Sequence, residues 1–100
     1  MIAYTVTCEF DDEASRENWL RWLVLEHIAE VCAAGATDAE VVKLEGTPPC
    51  CVARYHFATR EDFDAYIQLH APRLRAEGLA RAPKDSVRFK RSIGEVVKQR

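Results

Sequence analysis

The sequence has few residues that break regular structure and little excess charge of either sign. Its 100 residues include 4 glycines and 4 prolines, and its net charge at pH 7 is −2. Such a balance lacks the positive surface that nucleic-acid binding normally needs, so we expect no nucleic-acid partner. No apolar run approaches the roughly 20 residues of a membrane span, and no basic segment leads into an apolar one at the start. We therefore expect a cytoplasmic protein with no signal peptide and no membrane partner.

The four cysteines lack the spacing of a zinc site. Cys8, Cys32, Cys50 and Cys51 contain no C-x-x-C pair, and no histidine follows them at a ligand spacing. We therefore expect no metal and no cofactor. Cys50 and Cys51 are adjacent on a predicted strand and should point to opposite faces of it. All four are interpreted as inert free thiols, because reactive cysteines usually have a basic neighbour.

The composition is typical of a single globular domain. Hydrophobic residues make up 48% of the chain and charged residues 30%, so residues 1–100 are predicted to form one domain. A domain of this length leaves much of its surface exposed after folding, and self-association would help to cover it.

Apolar residues alternate in four segments and follow a helical period in two. The predicted strands are residues 2–10, 36–45, 50–58 and 86–97, and the predicted helices are residues 15–34 and 60–79. Ser15 is the candidate N-cap of the first helix, Gly35 its stop, and Thr59 the N-cap of the second. Pro72 removes a backbone donor two residues after His70, so the second helix should bend or restart there.

The order β-α-β-β-α-β predicts an α+β, ferredoxin-like fold, in which two helices cover one face of a four-stranded antiparallel sheet. The uncovered face should carry Thr5, Thr7, Arg54 and His56. RNA-recognition domains share this topology but place aromatic residues on that face, whereas here Tyr4 and the other strand aromatics should face the helices. The bare polar face instead favours a homodimer.

Three segments, "IAYTVT", "WLRWLVLEHIAEV" and "RYHFATREDFDAYIQLHAPRLR", together resemble a family of small bacterial proteins known only as a domain of unknown function. That family lies within the dimeric α/β-barrel superfamily. The resemblance implies a homodimer whose two sheets pack face to face, and it implies no known activity. Superfamily relatives include cofactor-independent monooxygenases, lactone isomerases and haem proteins, and most place a ligand between helices and sheet. The family would have proline where this chain has Ala29, so the first helix should continue more easily past His27, and a kink that shapes a site is less expected there.

The first helix contains both tryptophans of the chain. On a helical wheel, the stripe expected to cover the sheet consists of Leu20, Val24, Ile28 and Val31. Trp19 lies on a neighbouring strip and is a candidate for lining a cleft or a subunit seam. Trp22 falls on the far side and should pack against a chain terminus or stay partly exposed. The alternative for both is ordinary packing in a small core.

Two histidines lie where a leucine would pack better. His27 and His70 are the candidate catalytic residues, each as a general base or polar anchor in one pocket between helices and sheet. Trp19, Tyr55 and Tyr66 are the candidate ligand-binding walls of that pocket. The alternative for His70 is a core histidine bonded to backbone.

The function that follows is a homodimer that binds a small hydrophobic organic molecule and carries out cofactor-free chemistry on it. The alternative is a non-catalytic assembly or interaction module. A cavity lined by the histidines and aromatic side chains favours the first, and a filled core favours the second.

Overall fold

Four antiparallel strands form a single sheet, and the helices pack on one face of it. The computed structural model describes residues 1–82 and 86–100. The strands are β1 (Ile2–Phe10), β2 (Asp38–Lys43), β3 (Cys50–Phe57) and β4 (Val87–Glu95), and the helices are α1 (Glu13–Trp22), α2 (Ile28–Ala33), α3 (Arg60–Leu69) and α4 (Ala71–Arg81). The strand order is β2-β3-β1-β4. The predicted α+β, ferredoxin-like arrangement is confirmed.

The register divides the sheet into a helix-covered face and an open face. Tyr4 lies opposite Tyr55 of β3 and Ile93 of β4, on the covered side. Successive side chains of β1 point to opposite faces of the sheet. The next residue, Thr5, therefore lies opposite Arg54 on the open face. The predicted membership of the open face is therefore confirmed. No helix within the described ranges is both long and apolar enough to cross a membrane.

The predicted first N-cap is wrong. Asp12, not Ser15, caps α1: its carboxylate accepts a hydrogen bond from the Ser15 N–H at 2.7 Å. This hydrogen bond lowers the pKa of the Asp12 carboxyl. Thr59 caps α3 as predicted, since its hydroxyl accepts from the Asp62 N–H at 3.1 Å. Gly35 ends the first helical segment at φ +129°, a conformation that side chains with a Cβ rarely adopt.

A π turn at Leu23–His27 interrupts the first helical segment between α1 and α2. The Ile28 N–H donates to the Leu23 carbonyl, five residues back rather than four. The extra residue rotates the helix that follows it. The predicted sheet-facing stripe is consequently wrong at Val24, which is 63% exposed, and Trp22 is buried at 8% exposure rather than lying on the far side.

The second helical segment breaks at His70, as predicted. His70 ends α3 with φ −122°, and its carbonyl accepts a hydrogen bond from the Leu74 N–H at 3.1 Å. Pro72 lies in the first turn of α4, where a missing backbone donor removes no intrahelical bond. The proline therefore begins a new helix instead of kinking a continuous one.

A buried arginine joins α1 to the β2–β3 connection. Arg16 donates from Nη1 to the carbonyl oxygens of Leu44 at 2.9 Å and Cys50 at 3.0 Å. Its other guanidinium nitrogens bond to the Glu13 carboxylate. Because the charge is both paired and hydrogen-bonded, it can remain buried at little cost.

We predict that Arg16→Met destabilises the protein by about 1–3 kcal/mol, because it removes the donor to two backbone carbonyls. Urea unfolding should show a lower midpoint with an unchanged slope. The matched control is Arg21→Met on the same helix, where the guanidinium is exposed and bonds to Asn18. It should change the free energy of unfolding by less than about 0.5 kcal/mol. Equal losses in the two variants would contradict a special role for Arg16.

Candidate functional site

A cavity of about 50 Å³ lies between the helices and the sheet. Its sheet side is formed by β1, β3 and β4, and its helix side by α1, the π turn, α3 and α4. The exposed side chains of Arg75, Leu79 and Arg91 are among its lining, so the cavity meets solvent beside them.

Tyrosines form much of the cavity's aromatic wall. The ring of Tyr4 lies 6.0 Å from that of Tyr55 and 6.1 Å from that of Tyr66, centroid to centroid. Burial raises the pKa of Tyr55 and raises that of Tyr66 to about 12. Both hydroxyls are therefore neutral hydrogen-bonding groups at pH 7.

Both tryptophans line the same cavity. Their ring centroids are 4.8 Å apart, and the Trp22 ring stacks on the His27 imidazole at 4.4 Å. Gly78 of α4 makes room for the pair, since a Cβ at that position would lie 3.3 Å from Trp19 and 3.4 Å from Trp22. Both tryptophans, which lie in one short segment of the sequence, thus form part of the same cavity wall.

Two buried nitrogens of the lining residues lack a hydrogen-bond partner among the described residues, His27 Nδ1 and Trp19 Nε1. The Trp19 N–H lies near the Cys8 thiol, although it does not reach hydrogen-bond geometry. Burial lowers the pKa of His27 to about 4, and the nearby Glu77 carboxylate opposes that shift only in part. The imidazole is therefore neutral at pH 7, and its Nδ1 has no hydrogen-bond partner among the described residues.

The charged side chains in the cavity lining are both positive. Arg75 and Arg91 belong to its lining, and none of the described lining residues is acidic. Arg75 donates from Nη2 to the Tyr4 hydroxyl at 3.3 Å. The Arg91 guanidinium lies 5.5 Å from the centre of the Phe89 ring. The cavity therefore offers aromatic walls beneath two cations.

The structure brings together four of the five predicted site residues. Trp19, His27, Tyr55 and Tyr66 all line the cavity. His70 does not; it lies at the junction of α3 and α4, where its backbone N–H donates to the Tyr66 carbonyl at 2.9 Å. Their roles in binding or catalysis stay predictions.

Both arginines of the cavity and Tyr4 are absent from the predicted set of site residues. Arg91 alternates with Phe89 and Ile93 along β4, which places it on the covered face of the sheet. A charged residue within an apolar stripe was the available signal. Arg75 had no such signal, because its contact with Tyr4 joins residues far apart in the chain.

Comparison with known proteins identifies the family. Residues 1–96 match the family described as a domain of unknown function, DUF4286. The chain belongs to this family. No curated protein matches the sequence closely enough to count as a relative. The cavity described above therefore lies in a DUF4286 domain.

Solved structures share the fold of this DUF4286 domain at low sequence identity. A dimeric ferredoxin-like protein from an uncultured marine organism is 15% identical, with a TM-score of 0.77, over 98% of this chain and 96% of that one. HapK from Hahella chejuensis is 14% identical, with a TM-score of 0.73, over 99% and 95%. SnoaB of Streptomyces nogalater, a cofactor-independent oxygenase, is 11% identical, with a TM-score of 0.67, over 98% and 95%.

We predict that His27 makes the protein less stable in acid. The folded-state pKa of about 4 lies below the ordinary value of 6.5, so the unfolded chain takes up the proton first. Stability is therefore full above about pH 6.5 and falls as the pH drops to about 4, by up to about 3 kcal/mol.

Urea unfolding of the protein and of His27→Gln, at a series of pH values, measures this contribution. Above pH 7, the difference in the free energy of unfolding between the unsubstituted protein and His27→Gln should be constant. Between pH 6.5 and 4, the unsubstituted protein should lose stability relative to the variant. A difference that does not change with pH would contradict a neutral, buried His27.

Proposed function

We propose that this protein binds a small hydrophobic organic anion in the cavity between helices and sheet, and that it does so as a homodimer. The observation that carries the proposal is the composition of the cavity wall: aromatic rings, the arginines Arg75 and Arg91, and no acidic side chain among the described lining. The unpartnered nitrogens of Trp19 and His27 add polar groups that a ligand can satisfy.

The size of the cavity limits the ligand. Its volume of about 50 Å³ is smaller than the roughly 150 Å³ of an engineered cavity that accepts benzene. An aromatic ligand therefore requires side-chain movement on the open side. Arg75, Leu79 and Arg91 are exposed there, and exposed side chains change rotamer readily. Among aromatic anions, a ligand with a single ring and one anionic group requires the least movement.

The chemistry of His27 favours binding over base catalysis in the empty cavity. A general base works best with a pKa near the working pH, and the pKa of His27 is about 4. A bound anion would raise that pKa, because a nearby negative charge favours the imidazolium. Proton transfer from an acidic ligand to His27 is thus the first step available to cofactor-free chemistry. The shared fold with SnoaB, a cofactor-independent oxygenase, supports this as a second candidate function.

His70 has no place in this proposal. It does not line the cavity, so it gives a bound molecule no contact. The proposal rests on His27 as the polar anchor, with Trp19, Tyr55 and Tyr66 as the aromatic walls.

The open face of the sheet supports the homodimer. Val52 lies opposite Val42 and Thr7 at the middle of this face, and Arg54 with Glu40 and Thr5 forms the neighbouring row. An apolar centre with a polar surround is the usual composition of an interface between subunits. The similar proteins from uncultured marine organisms are described as dimeric.

We predict that benzoate binds about tenfold more tightly than benzamide, a difference of about 1.4 kcal/mol. The two molecules have nearly the same shape, but only benzoate carries the charge that the arginines attract. Intrinsic fluorescence measures the binding directly, because both tryptophans of the chain line the cavity.

Arg75→Gln and Arg91→Gln should each reduce the affinity for benzoate and leave that for benzamide unchanged. The matched control is Lys98→Gln, which removes one positive charge from an exposed position outside the cavity lining. Equal affinity for the two compounds would reject an anion site, and the absence of binding by both would reject the cavity as a site for single-ring ligands.

We predict that Thr7→Arg converts a dimer into a monomer at about 10 µM. Thr7 lies between Val52 and Lys90 on the open face, so a second cation there would be desolvated beside a like charge. Sedimentation velocity gives the mass of each species. Ala65→Arg, which adds the same side chain at an exposed position on α3, should remain a dimer. A monomeric unsubstituted protein would refute the homodimer without affecting the cavity proposal.

A further inference from the structure

The sheet side of the cavity carries two thiols from neighbouring strands. Cys8 of β1 lies directly opposite Cys51 of β3, and both side chains line the cavity. Both residues are buried, at 2% and 0% exposure. Cys50, the next residue in the chain, lies opposite Glu9 on the other face of the sheet. Cys8 and Cys51 therefore form a pair that faces across two strands, and Cys50 lies on the other face of the sheet.

The backbone places the pair at a suitable distance for a covalent bond. The Phe10 N–H donates to the carbonyl of Pro49, directly across from it, at 2.8 Å. Hydrogen-bonded pairs recur at every second residue of an antiparallel ladder, so Cys8 and Cys51 form another such pair, with Cα atoms about 5.5 Å apart. A disulfide spans Cα separations of about 4.4–6.8 Å.

The two thiols differ in acidity. Contact with the Cys51 sulfur raises the pKa of the Cys8 thiol, and burial raises it further. The same contact lowers the pKa of the Cys51 thiol, although burial opposes the shift, and the positive charge of Arg16 lowers it too. The Arg16 guanidinium thus favours Cys51 as the more acidic thiol of the pair. Cys51 is therefore assigned as the nucleophile that reacts first, and Cys8 as the thiol that then completes the disulfide.

We propose that Cys8 and Cys51 form a reversible intramolecular disulfide and are thus a site of oxidative modification. The oxidant is a small hydroperoxide that reaches the thiols through the cavity. The Cys51 thiolate attacks one peroxide oxygen, and the O–O bond breaks to give a sulfenic acid and an alcohol. The alcohol oxygen takes up the proton that Cys51 released. The Cys8 sulfur then attacks the sulfenic sulfur, the S–S bond forms and the S–O bond breaks, and the leaving hydroxide takes up the Cys8 proton to give water.

The atoms and electrons of this reaction balance. The two thiols lose two electrons and two hydrogens, and the hydroperoxide gains them. The products are the disulfide, one water and one alcohol, which is a second water when the oxidant is hydrogen peroxide. A dithiol reductant restores both thiols by exchange. The inference does not depend on the ligand proposed above, because the thiols and their access route exist without it.

The test uses a double variant, Cys32→Ser with Cys50→Ser, which keeps only the facing pair. The folded protein is treated with hydrogen peroxide, and intact-mass spectrometry follows the product. The expected result is the loss of two hydrogens from a monomeric chain, restored by dithiothreitol. Tryptophan fluorescence should fall with oxidation and recover with reduction, because Trp19 lies beside Cys8 and a disulfide quenches nearby indoles.

The matched comparison is Cys8→Ala with Cys51→Ala, which keeps Cys32 and Cys50. It should show no loss of two hydrogens and no reversible change in fluorescence. An unchanged mass, a gain of oxygen at Cys8 or Cys51, or a disulfide between chains in the first variant would each overturn the proposal. If circular dichroism shows that the alanine variant is unfolded, the variant with Cys32→Ser and Cys50→Ser still tests the proposal, since it retains both buried cysteines.

Discussion

The π turn at Leu23–His27 determines where the aromatic side chains of the cavity lie. In this turn Trp22 and His27, five residues apart, stack at 4.4 Å; regular α-helical geometry would place them on different sides of the helix. The same rotation turns Leu23 inward and leaves Val24 exposed. A π turn is less favourable than an α turn, and here the burial of two indole rings offsets that cost.

A small residue on the facing helix completes this arrangement. Gly78 of α4 lies within van der Waals reach of both indoles, so the tryptophans can fill the space between the helices without forcing α4 away. The cavity remains because the rings, the imidazole and the tyrosines cannot fill the remaining volume together. His27 and Trp19 both line this cavity, and one nitrogen of each is buried without a hydrogen-bond partner among the described residues.

The sequence predicted the features that depend on local chemistry. Alternation along β1, the glycine stop at Gly35 and the break at His70 each follow from one residue and its neighbours, and each agrees with the structure. The π turn could not be predicted, because a helical wheel assumes a constant rotation per residue. Arg75 was missed for a different reason: apolar periodicity treats a charged side chain as solvated, whereas its contact with Tyr4 depends on tertiary packing.

Arg16 holds one wall of the cavity in place. Its hydrogen bonds to the carbonyls of Leu44 and Cys50 tie the start of α1 to the β2–β3 hairpin. On the other side of the cavity, the side chain of Leu79 on α4 is 66% exposed. Widening the cavity on the tryptophan side would therefore break two hydrogen bonds of a buried guanidinium, whereas a rotamer change of the exposed Leu79 breaks none.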